Sequence, residues 1–545
     1  MREIDRLTTE RHAVPSLLLM EAAANASARA VGSLLPENFP NIRALILCGR
    51  GNNGGDGAAL ARVLWTAGAD VEVLLFGRAD EARSDARTNF EIVRQLASAD
   101  GASRLRFFEC PDGGAQWQQT RLQLSGYDVL VDALFGTGLS RPLEGVFREA
   151  VTALSAAREA RSAGSSSRPL VVSLDVPSGL DADSAEPIGD AVRADLTVTF
   201  TAPKPANVLP PASHLGGRLV VADIGSPAPL VAEAPSQLFL TEEDDARAWL
   251  AATRYAPDSF KNTHGHALVF AGSRGMTGAA VLTARAAMRS GAGLVTAASS
   301  ASAVPAVAAR VMPEVMTTGL SETADGALGR NAFDEAARLL ERADVVAVGP
   351  GLTTEEETRA FVRSVVGRRT TPVVIDADGL NCLAPWPAEL RGSTELPLVL
   401  TPHVGEMRRL VVAKDGKDAT TDRVALACGF AAAHGLIVVL KGARTLVAAP
   451  DGRVFVNPTG NPGLGTAGSG DTLTGVITGF IAQSCGAHKD RADVLTAVLA
   501  AVYVGGMAGD LAARTRGVRS MVASDITDHL GAAIRELDPE GERPR

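Results

Sequence analysis

The sequence contains few cysteines, and none of them is spaced for metal binding. No CxxC motif and no Cys/His cluster occurs, so neither a disulfide framework nor a structural zinc site is predicted. The five cysteines lie far apart in the chain, at Cys48, Cys110, Cys382, Cys428 and Cys485. The charged start of the chain also lacks the apolar region of a signal peptide. We therefore expect a protein of the reducing cytoplasm.

Long hydrophobic runs and an excess of positive charge are missing as well. The longest uncharged apolar stretch near the end of the chain, 494–509, contains glycines and is shorter than the ~20 residues of a membrane span. The chain carries 53 Lys and Arg against 62 Asp and Glu, a net charge of −9. Because nucleic-acid binding needs clustered cations, we predict neither a membrane nor a nucleic acid as partner. A local basic pocket for one small phosphate ester stays open.

Aromatic residues make up only 4% of the chain, so its cores are built mainly from Ala, Val and Leu. A length of 545 residues predicts two or more such cores, at roughly 150 residues per domain. Both halves alternate short aliphatic runs, glycine-rich turns and helical patterns, which predicts parallel sheets with helices on both faces. The predicted strands lie at 42–48, 71–76, 129–133, 170–174 and 196–200, and then at 267–271, 294–298, 345–348, 373–376, 398–400 and 437–440.

The two halves are separated by a stretch rich in Pro, Ala and Ser at 225–237, which has little periodicity. We predict a first domain at 1–226, a linker at 227–240, a second domain at 241–535 and a flexible tail at 536–545.

The first glycine-rich turn, 49–57, follows a predicted strand and has GxGxxG spacing. The acid that a dinucleotide site needs at the end of the second strand is missing, because residues 76–78 are Phe-Gly-Arg. The spacing alone therefore fits a tight strand-to-helix turn better than a phosphate site. Asn52 and Asn53 favour ligand binding, and Asp56 is placed to accept a hydrogen bond from a hydroxyl or an amide.

Two more strands of the first half end in a carboxylate. Asp132 precedes a glycine loop at 136–141, and Asp175 precedes a Pro-Ser-Gly turn that contains Ser178. A single Asp at such a place is usually a turn cap. The carboxyl ends of parallel strands line one crevice, however, so we expect these side chains and Asn53 to converge.

The motifs GNNGGDG (51–57), DALFGTGLSR (132–141), SLDVPSGLD (173–181) and TVTFTAPKP (197–205) resemble the NAD(P)H-hydrate epimerase (YjeF N-terminal) family, over nearly all of 1–226. The resemblance implies a potassium ion held by Asn53, Asp132 and Ser178, and Asp175 as catalytic acid or base. The substrate-binding residues that it implies are Asn52, Asn53, Gly54, Gly55, Asp56, Gly136, Thr137, Gly138, Leu139, Ser140, Arg141, Pro142 and Asp175. Ligation by oxygen atoms alone suits a hard cation.

In the second half, Gly-Ser-Gly at 468–470 precedes a long apolar helical pattern. Free backbone amides at a helix start form an anion site. Asp471 follows directly; alone it would be a helix cap, but beside an anion site it suits a base that takes a proton from a hydroxyl nucleophile. Lys441 and Arg444 follow an apolar strand and are candidates for nucleotide contacts. His403 fits a structural histidine equally well, and no GxxxxGK[ST] phosphate loop occurs.

Residues 254–530 resemble the ADP-dependent NAD(P)H-hydrate dehydratase family of the ribokinase-like fold. The motifs are AGSRGMTGAAVLTARAAMRSGAGLVT, PEVM, VGPGL, DADGLN, TPHVGEM, LKGART, GTAGSGD and VASD. The resemblance implies magnesium bound with ADP. It implies that the hydrated nicotinamide contacts Ala279, Gly351, His403 and Asp471, and that ADP contacts Lys441, Gly442, Ala443, Arg444, Thr445 and Gly470. The chain departs from the family pattern at Phe260, Asn262, Thr353 and Gly505.

Together the resemblances imply an α/β chain of two domains, a Rossmann-like three-layer parallel sheet followed by a ribokinase-like αβα domain, in a homo-oligomer. The implied substrates are hydrated NADH and NADPH (NADHX and NADPHX) with ADP. The implied reactions are epimerisation of the R and S hydrates and ADP-dependent dehydration of the S hydrate to NAD(P)H, with release of AMP and phosphate. Two alternatives remain open from the residues alone. One is a ribokinase-like vitamin or sugar kinase fused to a nucleotide-binding domain, and the other is a nucleotide sensor without catalysis.

Overall fold

The computed structural model describes residues 1–35, 39–82, 84–99, 104–111, 113–162, 169–411, 422–487 and 492–541. The chain divides into two compact units, Met1–Pro235 and Ser236–Arg545. Each unit is built around its own sheet, which agrees with the predicted α/β class and with two domains.

The sheet of the first unit has seven strands, all parallel, in the spatial order β3-β2-β1-β4-β5-β6-β7. The strand order reverses between β1 and β4, which opens a crevice at the carboxyl ends of these two strands. The strands are β1 Arg43–Cys48, β2 Asp70–Leu75, β3 Leu105–Glu109, β4 Val129–Ala133, β5 Leu170–Leu174, β6 Leu196–Phe200 and β7 Arg218–Ala222.

Helices cover both faces of this sheet, because alternate strand residues point to opposite sides. Ile46 lies in one apolar cluster with residues of the second, third and fourth helices, whereas its neighbour Leu47 lies in another cluster with Trp117. The first unit therefore has the predicted three layers. Its helices are α1 Arg2–His12, α2 Ser16–Gly32, α3 Asn52–Thr66, α4 Ser84–Ser98, α5 Ala115–Thr120, α6 Gly145–Ser162, α7 Pro205–Val208 and α8 Ala228–Ala232.

The sheet of the second unit has ten strands in the order β11-β10-β9-β12-β13-β14-β15-β16-β17-β8. It is parallel except for the pairs β15–β16 and β16–β17. Its strands are β8 Leu238–Leu240, β9 His266–Phe270, β10 Leu294–Ser300, β11 Met316–Leu320, β12 Val345–Val348, β13 Val373–Ile375, β14 Leu398–Leu400, β15 Ile437–Leu440, β16 Leu446–Ala448 and β17 Val454–Val456.

Helices again pack on both faces. The main apolar cluster joins one face to the ninth, tenth and last three helices, and Phe361 packs edge-on against Phe270 of β9 on the other face, with ring centroids 5.2 Å apart. The helices are α9 Glu243–Ala252, α10 Thr277–Arg289, α11 Val304–Ala308, α12 Ala332–Glu335, α13 Ala337–Leu340, α14 Glu356–Gly367, α15 Asp378–Cys382, α16 Val404–Leu410, α17 Arg423–His434, α18 Ser469–Ala487, α19 Val494–Arg516 and α20 Ala523–Leu537. By length and composition, α19 alone among the described helices could cross a membrane, but 72% of its most apolar window is buried in this unit.

Two predicted boundaries need correction. The stretch predicted as a linker, 227–240, holds α8 and β8, and β8 pairs with β17 as an edge strand of the second sheet. The tail predicted from 536 is ordered up to Gly541: α20 runs to Leu537, and Asp538 forms an ion pair with Arg254. Residues 542–545 lie outside the described residues. Pro and charged residues hid both features, because short edge elements show no continuous apolar run.

Candidate active sites

The first unit has a cavity of about 860 Å³ at the carboxyl ends of its central strands. Asn52, Asn53, Asp56 and Asp175 line it, and so do residues of the loop 136–142 other than Ser140. The structure thus brings together most of the substrate-binding residues that the sequence predicted.

Two predicted binding glycines lie behind the cavity wall and serve close packing. A Cβ on Gly54 would lie 1.8 Å from the carbonyl oxygen of Gly49, and a Cβ on Gly55 would lie 2.7 Å from the Cα of Ala86 on α4. Glycine at these positions lets α3 begin directly against the strand end, which exposes the Asn52 and Asn53 backbone to the cavity.

Beneath the cavity lies the predicted potassium group. Asp132 is fully buried, and its oxygens accept hydrogen bonds from the Ser173 hydroxyl (2.8 Å), the Ser178 amide (2.8 Å) and the Ser178 hydroxyl (2.5 Å). Burial raises the pKa of Asp132, and hydrogen bonds from Ser178 and Ser173 offset part of this shift. Ser178 also ties the group to the substrate loop, since its hydroxyl accepts the Phe135 amide at 2.9 Å.

Asn53 provides the observation that tests the fit of a cation. Its side chain is buried, and among the described residues neither its oxygen nor its nitrogen has a hydrogen-bond partner. Unpaired buried polar atoms are rare because each costs about 1–3 kcal/mol. An amide oxygen without a partner, a buried carboxylate and a hydroxyl are together a suitable donor set for a hard monovalent cation.

Asp175 forms the best-defined contacts of the cavity. Its Oδ1 accepts the Lys204 ammonium at 2.5 Å and the Thr199 hydroxyl at 3.3 Å. Its Oδ2 lies 3.0 Å from the point that a Cβ on Gly136 would occupy, and the Asn53 side-chain carbon lies 3.4 Å from the same point. One carboxylate oxygen is therefore anchored to lysine and the other faces the substrate loop.

Other carboxylates share this cavity. Asp5 on α1 and Asp56 on α3 line it together with Asp175. Burial, and then the charges of Asp175 and Asp5, raise the pKa of Asp56 well above its usual range, against the opposing effect of Lys204. Burial also raises the pKa of Asp5, one of whose oxygens is buried without a partner among the described residues. A carboxyl group with a raised pKa and the Asp175 carboxyl group can therefore face one ligand, which suits proton transfer.

Sequence reasoning missed Lys204, Asp5 and Arg2 of this site. Arg2 donates to the Thr137 carbonyl at 2.8 Å, so α1 contacts the substrate loop. Lys204 lies in the TVTFTAPKP motif, shortly after β6. The feature of the sequence that could have identified it is a lysine that follows a buried strand.

In the second unit three predicted residues follow parallel strands of the sheet: Gly351 follows β12, His403 follows β14 and Lys441 follows β15. Asp376, which was not predicted, follows β13, the strand between β12 and β14. Gly351 adjoins Ala279 of α10, whose Cβ lies 2.9 Å from the point that a Cβ on Gly351 would occupy.

A buried ion pair lies at the centre of this site. The Lys441 ammonium donates to Asp376 at 2.6 Å and is 3.8 Å from Glu406, while Thr474 donates to the other oxygen of Asp376 at 2.8 Å. Burial opposes the ionisation of Asp376, but the charge and hydrogen bond of Lys441, with that of Thr474, leave its pKa lowered. Asp376, Glu406 and Thr474 were not predicted as site residues.

Asp471 lies beside this pair at the start of α18. A Cβ on Gly470 would lie 3.4 Å from the Lys441 ammonium and 3.6 Å from Asp376. Among the described residues the amides of Gly470 and Asp471 have no backbone acceptor, as expected for the first turn of a helix. Burial, followed by the charge of Asp376, raises the pKa of Asp471 to about 6. A weakly basic carboxylate thus adjoins free amides and an ammonium group.

The remaining predicted residues surround this centre. Nδ1 of His403 accepts the amides of Gly405 and Glu406, so Nε2 carries the proton of the neutral ring, and Nε2 lies 3.5 Å from Glu406 Oε1. The turn 441–445 is held by Arg423, which donates to the Ala443 carbonyl at 2.8 Å, and Arg444 donates to the Pro458 carbonyl.

The departures from the family pattern lie around the site rather than at Asp471. Phe260 is 60% exposed, and Asn262 lies in the same turn before β9. Gly505 is buried in α19. Thr353 has φ +74°, a conformation that favours glycine, and its amide donates to Asp378 at 3.0 Å.

Two family models match the chain. One, described as YjeF-related protein N-terminus, matches residues 16–206, and the other, described as NAD(P)H-hydrate dehydratase, matches residues 267–531. Among curated proteins, the bifunctional NAD(P)H-hydrate repair enzyme Nnr of Moorella thermoacetica is 41% identical over 545 residues, covering 99% of this chain and 97% of that protein. The protein of the same name from Thermofilum pendens is 39% identical over 539 residues, with 99% and 96% covered.

Among solved structures, the ADP/ATP-dependent NAD(P)H-hydrate dehydratase from Bacillus subtilis, co-crystallised with ATP/Mg2+, is 31% identical to this chain. The match covers 55% of this chain and 99% of that one, with a TM-score of 0.46.

Proposed function

Since this chain belongs to the family of bifunctional NAD(P)H-hydrate repair enzymes, we propose that Asp175 and Asp471 are the catalytic groups of its two reactions. The chain is an enzyme with an epimerase domain and a dehydratase domain, as both resemblances implied. The observation that carries the assignment of residues is a carboxylate at the end of an element beside groups that lack partners among the described residues. In the first unit Asp175 lies near the unpaired Asn53 side chain, and in the second Asp471 lies at the free amides that begin α18.

For epimerisation, Asp175 exchanges protons with the hydrated ring in the cavity of the first unit. Inversion at the hydrated carbon requires its bond to the hydroxyl oxygen to break, with electrons from the ring nitrogen, and to re-form on the opposite face. One group must therefore deliver a proton to the departing oxygen, which leaves as water, and one must remove a proton from the water that adds back. Asp175 is held by Lys204, while Asp56 has a pKa raised well above its usual range. We assign the first as the acceptor and the second as a donor of a hydrogen bond. The Asn52–Asn53 amides and the loop 136–142 bind the nucleotide.

For dehydration, Asp471 takes the proton of the ring hydroxyl while the hydroxyl oxygen attacks the terminal phosphorus of ADP. The bond to AMP breaks, and the free amides of Gly470 and Asp471, with Lys441, stabilise the charge on the transferred phosphoryl group. The ring nitrogen then expels phosphate from the hydrated carbon, and loss of a proton from the neighbouring ring carbon restores the dihydropyridine. Phosphorylation accelerates the reaction because phosphate leaves far more readily than hydroxide.

We propose potassium for the first unit and magnesium with ADP for the second. Asn53, Asp132 and Ser178 would hold potassium, which supplies positive charge beneath the substrate loop. In the second unit, Asp376, Glu406 and Asp471 share the single charge of Lys441. A polyphosphate beside this excess of negative charge calls for a divalent cation, which Mg2+ supplies while bound chiefly through the phosphates. NADHX, NADPHX and ADP are the proposed substrates, and a cytoplasmic homo-oligomer is the proposed state.

The experiment that tests these assignments uses the purified chain with a mixture of R and S hydrates. Asp471→Asn should lower ADP-dependent formation of NADH by about 10³-fold and leave epimerisation unchanged. Asp175→Asn should slow conversion of the R hydrate and leave dehydration of the S hydrate unchanged. If either variant keeps the activity assigned to it, that catalytic role is wrong. Turnover of ATP with a small alcohol, and none with hydrate, would support the kinase alternative instead, and binding without any turnover would support the sensor.

A further inference from the structure

We propose that Lys204 is a positioning residue for Asp175: it fixes one carboxylate oxygen so that the other faces the hydrated ring. The inference rests on the proposed function of Asp175 and assigns a role to a residue outside the substrate-binding set.

The choice of lysine at this position is unusual for this chain. Only six of its 53 basic residues are lysine, and Lys204 is the only lysine in residues 1–235. Its side chain is 4% exposed. A planar guanidinium has five donors and needs more acceptors than an ammonium group, so a small buried pocket with three acceptors favours lysine.

Lys204 has exactly as many partners as its ammonium group has hydrogens. It donates to Asp175 Oδ1 at 2.5 Å, to the Thr199 hydroxyl at 2.9 Å and to the Phe200 carbonyl at 2.9 Å. No hydrogen is left for a substrate, so the lysine acts on the reaction through Asp175. This separates a positioning residue from a binding residue.

The same network also fixes the backbone of Asp175. Asp175 has φ +65°, a left-handed conformation that costs a non-glycine residue about 1–2 kcal/mol. Asn207 donates to the Asp175 carbonyl at 3.2 Å, and the Asn207 oxygen accepts the Lys204 amide at 2.8 Å. Strain of this kind persists where surrounding contacts over-determine the conformation, and it concentrates at active sites.

Asp5 on α1 and Asp56 on α3 share the cavity with Asp175, and the basic side chains of Arg2 and Arg141 also line it. Among the described residues, the side-chain donors to Asp175 Oδ1 are Lys204 at 2.5 Å and Thr199 at 3.3 Å. Without the lysine this oxygen would keep only the longer of these two hydrogen bonds, so the orientation of the carboxylate depends on Lys204.

The test compares R-hydrate conversion by the full chain and by Lys204→Met, with chromatographic separation of the epimers. We expect kcat to fall by about 10²-fold and KM to change by less than about threefold, because the lysine orients a catalytic group and does not touch the substrate. Lys204→Arg keeps a cation beside Asp175 and should recover part of the kcat that Lys204→Met loses. Dehydration of the S hydrate by the same samples controls for enzyme concentration.

Thr199→Val is the second variant, because it keeps the shape and the charge and removes one hydrogen bond. It should lower kcat by about 3–10-fold, which is less than the loss in Lys204→Met. Wild-type kcat in Lys204→Met would overturn the inference, and so would a loss that lies mainly in KM or one that is equal in Lys204→Met and Lys204→Arg. A wild-type chain that does not exceed the uncatalysed epimerisation rate would contradict the proposed function, and this inference with it.

Discussion

Both units hold a buried lysine against an aspartate at the carboxyl end of their sheet, but the aspartate differs in exposure and in task. The Lys204–Asp175 pair is 2.5 Å long and the Lys441–Asp376 pair is 2.6 Å long. Asp175 is 13% exposed and faces the cavity of the first unit, whereas Asp376 is 1% exposed and lies behind the anion site of the second. In the second unit the proposed base, Asp471, is a separate residue.

The difference follows from what each reaction needs. In the first unit, the lysine orients the proposed catalytic carboxylate. In the second unit, an ion pair between Lys441 and the base Asp471 would lower the pKa of the base. It would also leave the lysine less available to the phosphate. Pairing Lys441 with Asp376 leaves Asp471 with a pKa raised to about 6, close to the pH at which a base is most effective. A lysine–aspartate ion pair thus includes the proposed catalytic carboxylate in the first unit, whereas in the second it lies beside the proposed base and does not include it.

The sharpest way to test this comparison is to remove each lysine and measure stability. Lys441→Met leaves the buried charge of Asp376 without a cation, and we expect the free energy of unfolding of the second unit to fall by about 3–5 kcal/mol. Lys204→Met should cost the first unit less, because water in the cavity can hydrate Asp175. Urea unfolding followed by circular dichroism measures both losses.

The matched control for this pair of variants is Lys261→Met, at an exposed position in the second unit, which should change the stability by less than about 0.5 kcal/mol. Adding Asp376→Asn to Lys441→Met should restore part of the lost stability, since it removes the unpaired charge. Equal losses from the two lysine substitutions would show that the two pairs do not differ in the way proposed.

Removal of potassium tests the cation site proposed for the first unit, with the second unit as the comparison. Replacing potassium by tetramethylammonium at equal ionic strength should lower the free energy of unfolding of the first unit by about 2–3 kcal/mol, if the ion was present at a hundred times its Kd. The second unit should not respond. Asn53→Ala should abolish the response and, without potassium, be at least as stable as the parent, since it removes unpaired buried atoms. An equal potassium response in Asn53→Ala would exclude this residue as a ligand.

The pH dependence of the dehydration rate tests whether Asp471, which is not paired with a lysine as Asp175 is, acts as the base. Its pKa is raised to about 6, and the base form exists above that value. The rate at low substrate should therefore fall about tenfold per pH unit below 6. The same shift favours the protonated folded state, so its stabilising effect is present below the ordinary pKa of an aspartate and is lost as the pH rises through about 6. A rate that stays constant from pH 7 to pH 5 would exclude Asp471 as the base.

The sequence predicted most central strands and the carboxylates at their ends, because buried parallel strands are continuous apolar runs that end in turns. It missed β3, β7 and β11, which are half-exposed, and β8, β16 and β17, which have three residues each. Elements of this kind carry no apolar run that separates them from a loop. The motifs supplied the ligands of each site, but Lys204 and Asp376 act through contacts between distant segments, and only the fold places them beside Asp175 and Lys441.

The smallest expected effect concerns backbone strain at a non-glycine residue with positive φ, which occurs in both units but with different consequences. Asp175 and Thr353 both adopt a left-handed conformation at a strand-end turn, but the strain at Asp175 orients a catalytic group, whereas the hydroxyl of Thr353 makes only a long contact of 3.5 Å with Glu355. Thr353→Gly should therefore stabilise the second unit by about 1 kcal/mol, measured as a rise in Tm, and leave the dehydration rate unchanged. Thr354→Gly, one residue further on and outside the left-handed region, should be neutral or destabilising. If both variants are more stable than the parent, the turn as a whole limits stability rather than the conformation of Thr353. If Thr353→Gly loses activity, the threonine side chain contacts the substrate.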